Sequence, residues 1–323
     1  MPDHPQPPPT DHQPRLGLAL GGGVGRGWAH IGVINALVNA GLKPDVIAGT
    51  SIGAVVGGCY AAGQLTALEE WARQLTPVRV MRLMDFRMRQ PSMIGGEKLK
   101  ERLREQLGDT KIEELDMRFA ALCTDLLTGH EVWRNRGDLA EAVRASYALP
   151  GVFPPVPYRH RLLIDGGLVN PVPVSACRAL GADVVIAVSL NTDMLGQVRK
   201  RNDSLATVPG YDVLDEAGAL FTGPAVNPFT NVAKRLFRSD PNMPSLTNVM
   251  FSTLQIVADR MSRARLAADP PDILLAPPLH HIGLVEFHRA EELITIGATA
   301  IEERLDDVRR ALSDAGQVAG RFS

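Results

Sequence analysis

The chain has 323 residues, 45% of them hydrophobic and 22% charged, with a formal net charge of −2. These proportions exclude a wholly disordered chain, and the charge lacks the basic excess expected of a nucleic-acid-binding protein. The departure from average is 30 glycines and 24 prolines, together about 17% of the chain against a usual ~12%.

The first fourteen residues, MPDHPQPPPTDHQP, are polar and proline-rich and read as a disordered tail, without the basic start and apolar stretch of a signal peptide. Arg15–Leu20 is a short apolar run that ends in glycine and reads as a buried strand. GGGVGRG follows, then helical spacing over Trp28–Ala40, stopped by Gly41. Pro44–Ala48 reads as the next strand, followed by Gly49-Thr50-Ser51-Ile52-Gly53 and a small-residue helix to about Ala62. Strand, glycine loop, helix, strand, sharp turn and helix predict an α/β fold with a parallel sheet.

Thr66–Leu75 and Gly96–Leu107 read as amphipathic helices, separated by a Met- and Arg-rich segment, Pro77–Met93. Phe119–Asp125 and His130–Trp133 read as strands, and Asp138 as the N-cap of a helix to Tyr147. A short strand, Leu162–Ile164, precedes Asp165-Gly166-Gly167. Val172–Leu180 is predicted helical and Asp183–Leu190 a buried strand. Residues 191–245 lack a clean period and read as an insertion in one domain spanning 15–312. Beyond it come a helix over Ser245–Ala268, a strand over Asp272–Ala276, a helix over Phe287–Leu312 and a tail, 313–323. No run of about 20 apolar residues occurs, so no transmembrane segment is expected. Cys59, Cys123 and Cys177 are scattered and form no CxxC pair, so neither a disulfide framework nor a zinc site is expected; reduced buried thiols suit the cytosol.

The glycines gather in three places where chemistry is plausible. Gly49-Thr50-Ser51-Ile52-Gly53 is a G-x-S-x-G between a strand and a helix, where flanking glycines allow the tight turn that lifts a nucleophilic serine. The string alone is common; its strand–helix context favours the nucleophile over a chance loop. Gly21–Gly27 could present backbone N–H groups to an anion, either a nucleotide phosphate or a transient oxyanion. The phosphate patterns fail: Trp28-Ala29 stand where a P-loop needs Lys-Ser/Thr, and Arg26 stands where G-x-G-x-x-G needs its last glycine. Asp165-Gly166-Gly167 could project a carboxylate into a cleft, although Asp-Gly-Gly alone is an ordinary turn. The base remains open at this level, because His280, His281 and His288 follow Asp165 in the Ser–Asp–His order of α/β-hydrolases.

In this order, GGGVGRGWAHIGV, GTSIGA, ASYALPGVFPPV and DGGLVNPVPV resemble the bacterial patatin-like phospholipases related to the catalytic domain of neuropathy target esterase. DILLAPPL and FHRAEELITIG are similar to the end of that family, so the likeness runs from about Arg15 to Leu312. The resemblance implies a three-layer α/β/α fold and a serine lipid acyl hydrolase of phospholipase A, lysophospholipase or esterase type. It implies Ser51 as nucleophile and Asp165 as its partner in a dyad without histidine. Gly22, Gly23, Gly25 and Arg26 would form the oxyanion hole, Gly49 and Gly53 the elbow, and Gly166 and Gly167 the turn supporting the acid. No metal and no cofactor are implied. The expected partner is a lipid or acyl ester, with room for peripheral contact at the inner membrane surface. An acyltransferase or thioesterase with the same dyad, or a regulatory protein on the same fold, are the alternatives. Met81, Leu83, Met84, Phe86, Met88 and Met93, interleaved with Arg79, Arg82, Arg87 and Arg89, could line an interfacial slot or equally a core segment.

Overall fold

The computed structural model describes residues 13–84, 97–191 and 246–322. The chain divides into two compact units, Met1–Asp193 with Ala258–Ser323, and Met194–Val257. In the second unit, the described residues are the first part of a helix, Leu246–Ala268. The expected insertion at 191–245 and the expected tail at 1–14 lie almost wholly outside the described residues.

The first unit is built on one eight-stranded sheet. Its strands are β1 (Leu16–Leu20), β2 (Val46–Thr50), β3 (Arg118–Asp125), β4 (Glu131–Arg134), β5 (Val156–Tyr158), β6 (Arg161–Asp165), β7 (Val184–Val188) and β8 (Ile273–Leu275). They lie in the order β5-β6-β3-β2-β1-β7-β8, with β4 also on β3. β1, β2, β3, β7 and β8 run parallel, β4 and β6 pair antiparallel with β3, and β5 pairs antiparallel with β6. Helices α1 (Ala29–Asn39), α2 (Ile52–Ala61), α3 (Leu65–Arg73), α4 (Pro77–Met84), α5 (Glu97–Leu107), α6 (Leu139–Ser146) and α7 (Val174–Ala179) connect them.

Side-chain alternation divides the sheet into two faces. Leu16, Leu18 and Leu20 of β1, Ile47 of β2, Phe119 of β3 and Ile186 of β7 join the larger core with α1, α2 and α6. Ala19, Ala48, Ala120 and Ala187 face the other way and join Val174, Ala176 and Cys177 of α7. Small residues on that face let α7 approach closely: a Cβ on Gly17 would stand 3.3 Å from that of Cys177 on α7 and 2.5 Å from that of Ala182 just beyond it. Helices on both faces of a mostly parallel sheet make the expected three-layer α/β/α arrangement.

Several elements differ from the sequence expectation. The Met- and Arg-rich segment begins as a helix, α4, and residues 85–93 of it lie outside the described set. Val156–Tyr158 forms β5, which the sequence reading omits because three residues carry no period. The late helix divides into Ala290–Glu302 and Leu305–Phe322. The second piece runs past Leu312 because an apolar stripe continues: Val308 is buried, and Leu305, Leu312 and Ala315 pack against the core. Among the described residues, no helix is long and apolar enough to cross a membrane.

Candidate active site

β2 and β6 bring the candidate nucleophile and acid together through one shared edge of β3. β2 pairs with Arg118–Leu122, ending with Thr50 opposite Leu122. β6 pairs with the next residues, placing Asp165 opposite Cys123. β4 pairs with Ala121–Thr124 and so occupies the other edge. Where β2 leaves the sheet to turn into α2, β6 takes over, and its last residue meets Ser51.

Ser51 has φ 55° and ψ −122°, a left-handed conformation uncommon for a residue with a side chain. It is the N-cap position of α2, yet its hydroxyl does not cap the helix. The Ser51 hydroxyl donates instead to Asp165 Oδ2 at 2.6 Å. Its backbone N–H donates to the Ser146 hydroxyl at 2.9 Å, and that hydroxyl donates to the Leu122 carbonyl at 2.6 Å. Gly53 is required by close approach: a Cβ there would fall against the Leu20 carbonyl oxygen. At Gly49 a Cβ would stand 2.6 Å from the Ala54 backbone.

Asp165 is held at every polar atom. Its N–H donates to the Ala148 carbonyl at 3.0 Å, and its carbonyl accepts from the Thr124 hydroxyl at 2.8 Å. Oδ1 accepts from the Gly167 N–H at 2.7 Å, leaving Oδ2 for Ser51. Burial raises the carboxyl pKa from 3.8 to about 6, against the opposing pull of the Ser51 and Gly167 hydrogen bonds. At Gly166 a Cβ would collide with the Leu122 carbonyl, so this turn sits tightly on β3.

The glycine loop lies beside Ser51: a Cβ on Gly22 would be 3.6 Å from the Ser51 Cβ. Its N–H groups are unequally available. Gly22 donates to the Pro171 carbonyl at 3.0 Å, Gly25 to Leu284 at 2.7 Å and Arg26 to Gly23 at 3.1 Å. The Gly23 N–H has no hydrogen-bond partner among the described residues. The Arg26 side chain is buried, with Nε donating to the Ile282 carbonyl at 2.8 Å, and so is not a solvated cation.

A patatin-like phospholipase family model matches residues 18–178, which include all three glycine clusters. The chain is 36% identical over 330 residues to an uncharacterized NTE family protein of Mycobacterium tuberculosis strain H37Rv, covering 91% of this chain and 92% of the relative. The chain belongs to the patatin-like phospholipase family. It is also 28% identical to the lysophospholipase nte1 of Emericella nidulans over 310 residues, which are 91% of this chain and 18% of that protein. A similar relation holds to the lysophospholipase nte1 of Aspergillus fumigatus, 28% identical over 300 residues, 87% of this chain and 18% of that protein.

Within this patatin-like site, the histidines stand apart from Ser51. Among the described residues, the hydroxyl of Ser51 bonds to Asp165 and to no histidine. His281 Nε2 lies 2.9 Å from Glu292 Oε1. His30 is fully buried, and burial lowers its pKa to about 4. It is therefore neutral at neutral pH, and its Nε2–H donates to the Gly21 carbonyl at 2.7 Å, pinning the start of the glycine loop. Sequence reasoning assigned no site role to Ser146, Thr50 or Asn170. Thr50 donates through its hydroxyl to the Asn170 carbonyl at 2.8 Å, and Asn170 Nδ2 donates to Glu131 Oε1 at 2.9 Å. No local pattern marks these residues, since each acts on a segment far away in the chain.

Proposed function

We propose that this patatin-like chain is a serine lipid acyl hydrolase that cleaves acyl ester bonds through Ser51 and Asp165 and an acyl-enzyme intermediate. The observation that carries the reading is the 2.6 Å hydrogen bond between the Ser51 hydroxyl and a buried carboxylate whose pKa is raised to about 6. An ordinary aspartate, with a pKa of about 3.9, is a weak base. One raised to about 6 remains mostly ionised at neutral pH and accepts a proton more readily.

Ser51 Oγ attacks the ester carbonyl carbon as its proton passes to Asp165 Oδ2. The carbonyl oxygen gains the negative charge and is met by the Gly23 N–H, while Gly22, Gly25 and Arg26 hold the loop through their own bonds. A donor of this kind lowers the barrier by ~2.7–4 kcal/mol. The tetrahedral intermediate collapses, the C–O bond to the alcohol breaks, and the proton on Asp165 goes to the leaving alkoxide. Water then adds to the acyl carbon as its proton passes to Asp165, the C–O bond to Ser51 Oγ breaks, Asp165 returns the proton to Oγ, and the fatty acid departs. The names of the fungal relatives support a lysophospholipid as the ester, and the family's description supports a phospholipid.

Labelling with a fluorophosphonate tests the nucleophile. Wild type should be labelled and Ser51→Ala should not; labelling that survives the substitution overturns the assignment. Loss of ester hydrolysis in Asp165→Asn, with the fold intact, tests the base.

A further inference from the structure

Two hairpin tips extend beyond the catalytic end of the sheet. β3 continues past Leu122, the level at which β2 ends, and turns through Leu126–His130 into β4. β5 turns through Arg159 and His160 into β6. The tips lie together, because the Leu126 N–H donates to the Leu162 carbonyl at 2.8 Å. Leu162 is three residues before Asp165 on β6, which at ~3.3 Å per residue puts this level about 10 Å beyond the dyad.

The tips present apolar side chains to solvent from a firmly held backbone. Leu127 is 75% exposed, Leu126 45% and Leu162 36%. Asp125 Oδ1 accepts from the Leu127 N–H at 3.0 Å, and the Asp125 N–H donates to the His130 carbonyl at 2.9 Å. Gly129 closes the turn with φ 69°. In the other tip, Arg159 has φ 53°, where a glycine is the ordinary choice. Backbone strain at a non-glycine residue persists only where the surroundings impose it.

The charge around these leucines has one sign. Residues 126–130 and 158–162 hold Arg159 and Arg161 and no carboxylate, in a chain of net charge −2. Arg161 sits 3.3 Å from the buried Asp125 carboxylate beneath the tip. Arg159 lies over the face of Tyr158, 5.4 Å from the ring centroid. Glu131, just beyond the first turn, is engaged by Trp133, Asn170 and Arg265.

We propose that these paired tips are the surface by which the protein docks on an anionic phospholipid bilayer. The three leucines enter the interface, and the arginines meet lipid phosphates. This rests on the lipid-hydrolase reading, and it adds the place of contact: a bilayer seated on the tips lies about 10 Å from Asp165, along the edge that carries the dyad. Exposed leucines with a basic surround are the chemistry of an interfacial anchor, in which apolar burial and attraction to anionic lipid add.

The test is co-sedimentation with vesicles of phosphatidylcholine alone or of phosphatidylcholine with phosphatidylglycerol. Wild type should bind the anionic vesicles more tightly than the neutral ones. Leu127→Ser should weaken that binding about tenfold, and Arg159→Glu at least about fivefold; Leu126→Ser is a second apolar variant. Unchanged binding in all three variants, as expected of a tip that serves a protein partner, overturns the proposal, and so does failure of wild type to bind anionic vesicles. Hydrolysis of a short-chain ester dissolved as monomer should be equal in wild type and the tip variants, and Ser51→Ala should keep its vesicle binding. A wild type that binds through the tips but hydrolyses no ester refutes the hydrolase reading alone. One that hydrolyses the dissolved ester and ignores vesicles refutes the docking surface alone.

Discussion

Replacing Asp165 by asparagine should inactivate the protein and stabilise it at neutral pH. In the folded protein, burial holds the Asp165 pKa at about 6, against 3.8 for the free group. As pH rises between those values, the unfolded chain releases this proton while the folded one retains it. Stability is therefore fully present below about pH 4 and is lost as pH rises through about 6. At 1.36 kcal/mol per pH unit, the ionised carboxylate costs the folded state about 3 kcal/mol at neutral pH. Asparagine keeps an acceptor for the Gly167 N–H and carries no charge at any pH. The stability difference between Asp165→Asn and wild type should thus grow by about 3 kcal/mol between about pH 3 and pH 7.5. Urea unfolding of both proteins at both pH values measures it, because other titrating groups cancel in the comparison. A difference that stays constant with pH would refute the claim that a buried carboxylate with a raised pKa sits at this position.

Four further outcomes follow from the same geometry. The acid limb of kcat/KM for a soluble ester should bend near pH 6 and fall about tenfold per pH unit below it, because protonated Asp165 cannot accept the Ser51 proton; a bend near 4 would mean that burial does not raise the Asp165 carboxyl. Ser146→Ala leaves the Ser51 N–H without its partner, so kcat should drop about tenfold with KM little changed, and Ser146→Thr should recover much of the loss. Gly22→Ala adds a methyl at ordinary contact distance, 3.6 Å from the Ser51 Cβ, and should reduce hydrolysis while leaving the melting temperature near wild type. Gly53→Ala drives its methyl into the Leu20 carbonyl and should lower the melting temperature sharply, as read by circular dichroism.

The parts of this fold that were legible are those whose causes are local. β1, the glycine loop, α1, β2 and α2 follow from apolar runs punctuated by glycine, and Asp138 caps α6 through the Glu141 N–H at 2.9 Å, as its residue type suggests. Ser51 could be picked out because its turn has a local signature. The pairing with Asp165 could not be read from the residues alone, since 114 positions separate them and the register of two strands on β3 brings them together. The resemblance to a family named the partner; the sequence by itself left three histidines open. Likewise, four residues of the glycine loop looked equivalent as anion donors. Carbonyls from Pro171 and Leu284, far along the chain, engage two of the N–H groups, a bond within the loop engages a third, and Gly23 is left.

The three glycine clusters behave as one device because the segment after Asp165 measures the distance between them. Within seven residues, Asp165 accepts from Ser51, Asn170 accepts from the Thr50 hydroxyl beside the elbow, and Pro171 accepts from the Gly22 N–H beside the oxyanion site. The intervening Val169 carbonyl accepts from Arg265 Nε at 3.1 Å, and Arg265 is itself paired with Glu131 at 3.2 Å. The proposed base, the proposed nucleophile and the glycine loop are therefore hydrogen-bonded to one short stretch of backbone, so a shift in that stretch would displace all three. Preorganisation of this kind suits the proposed dyad, in which one carboxylate accepts the Ser51 hydroxyl with its oxygens 2.6 Å apart. The excess of glycine follows from it: at Gly53 and Gly166 a side chain would occupy the space where one backbone segment must reach the carbonyl of another.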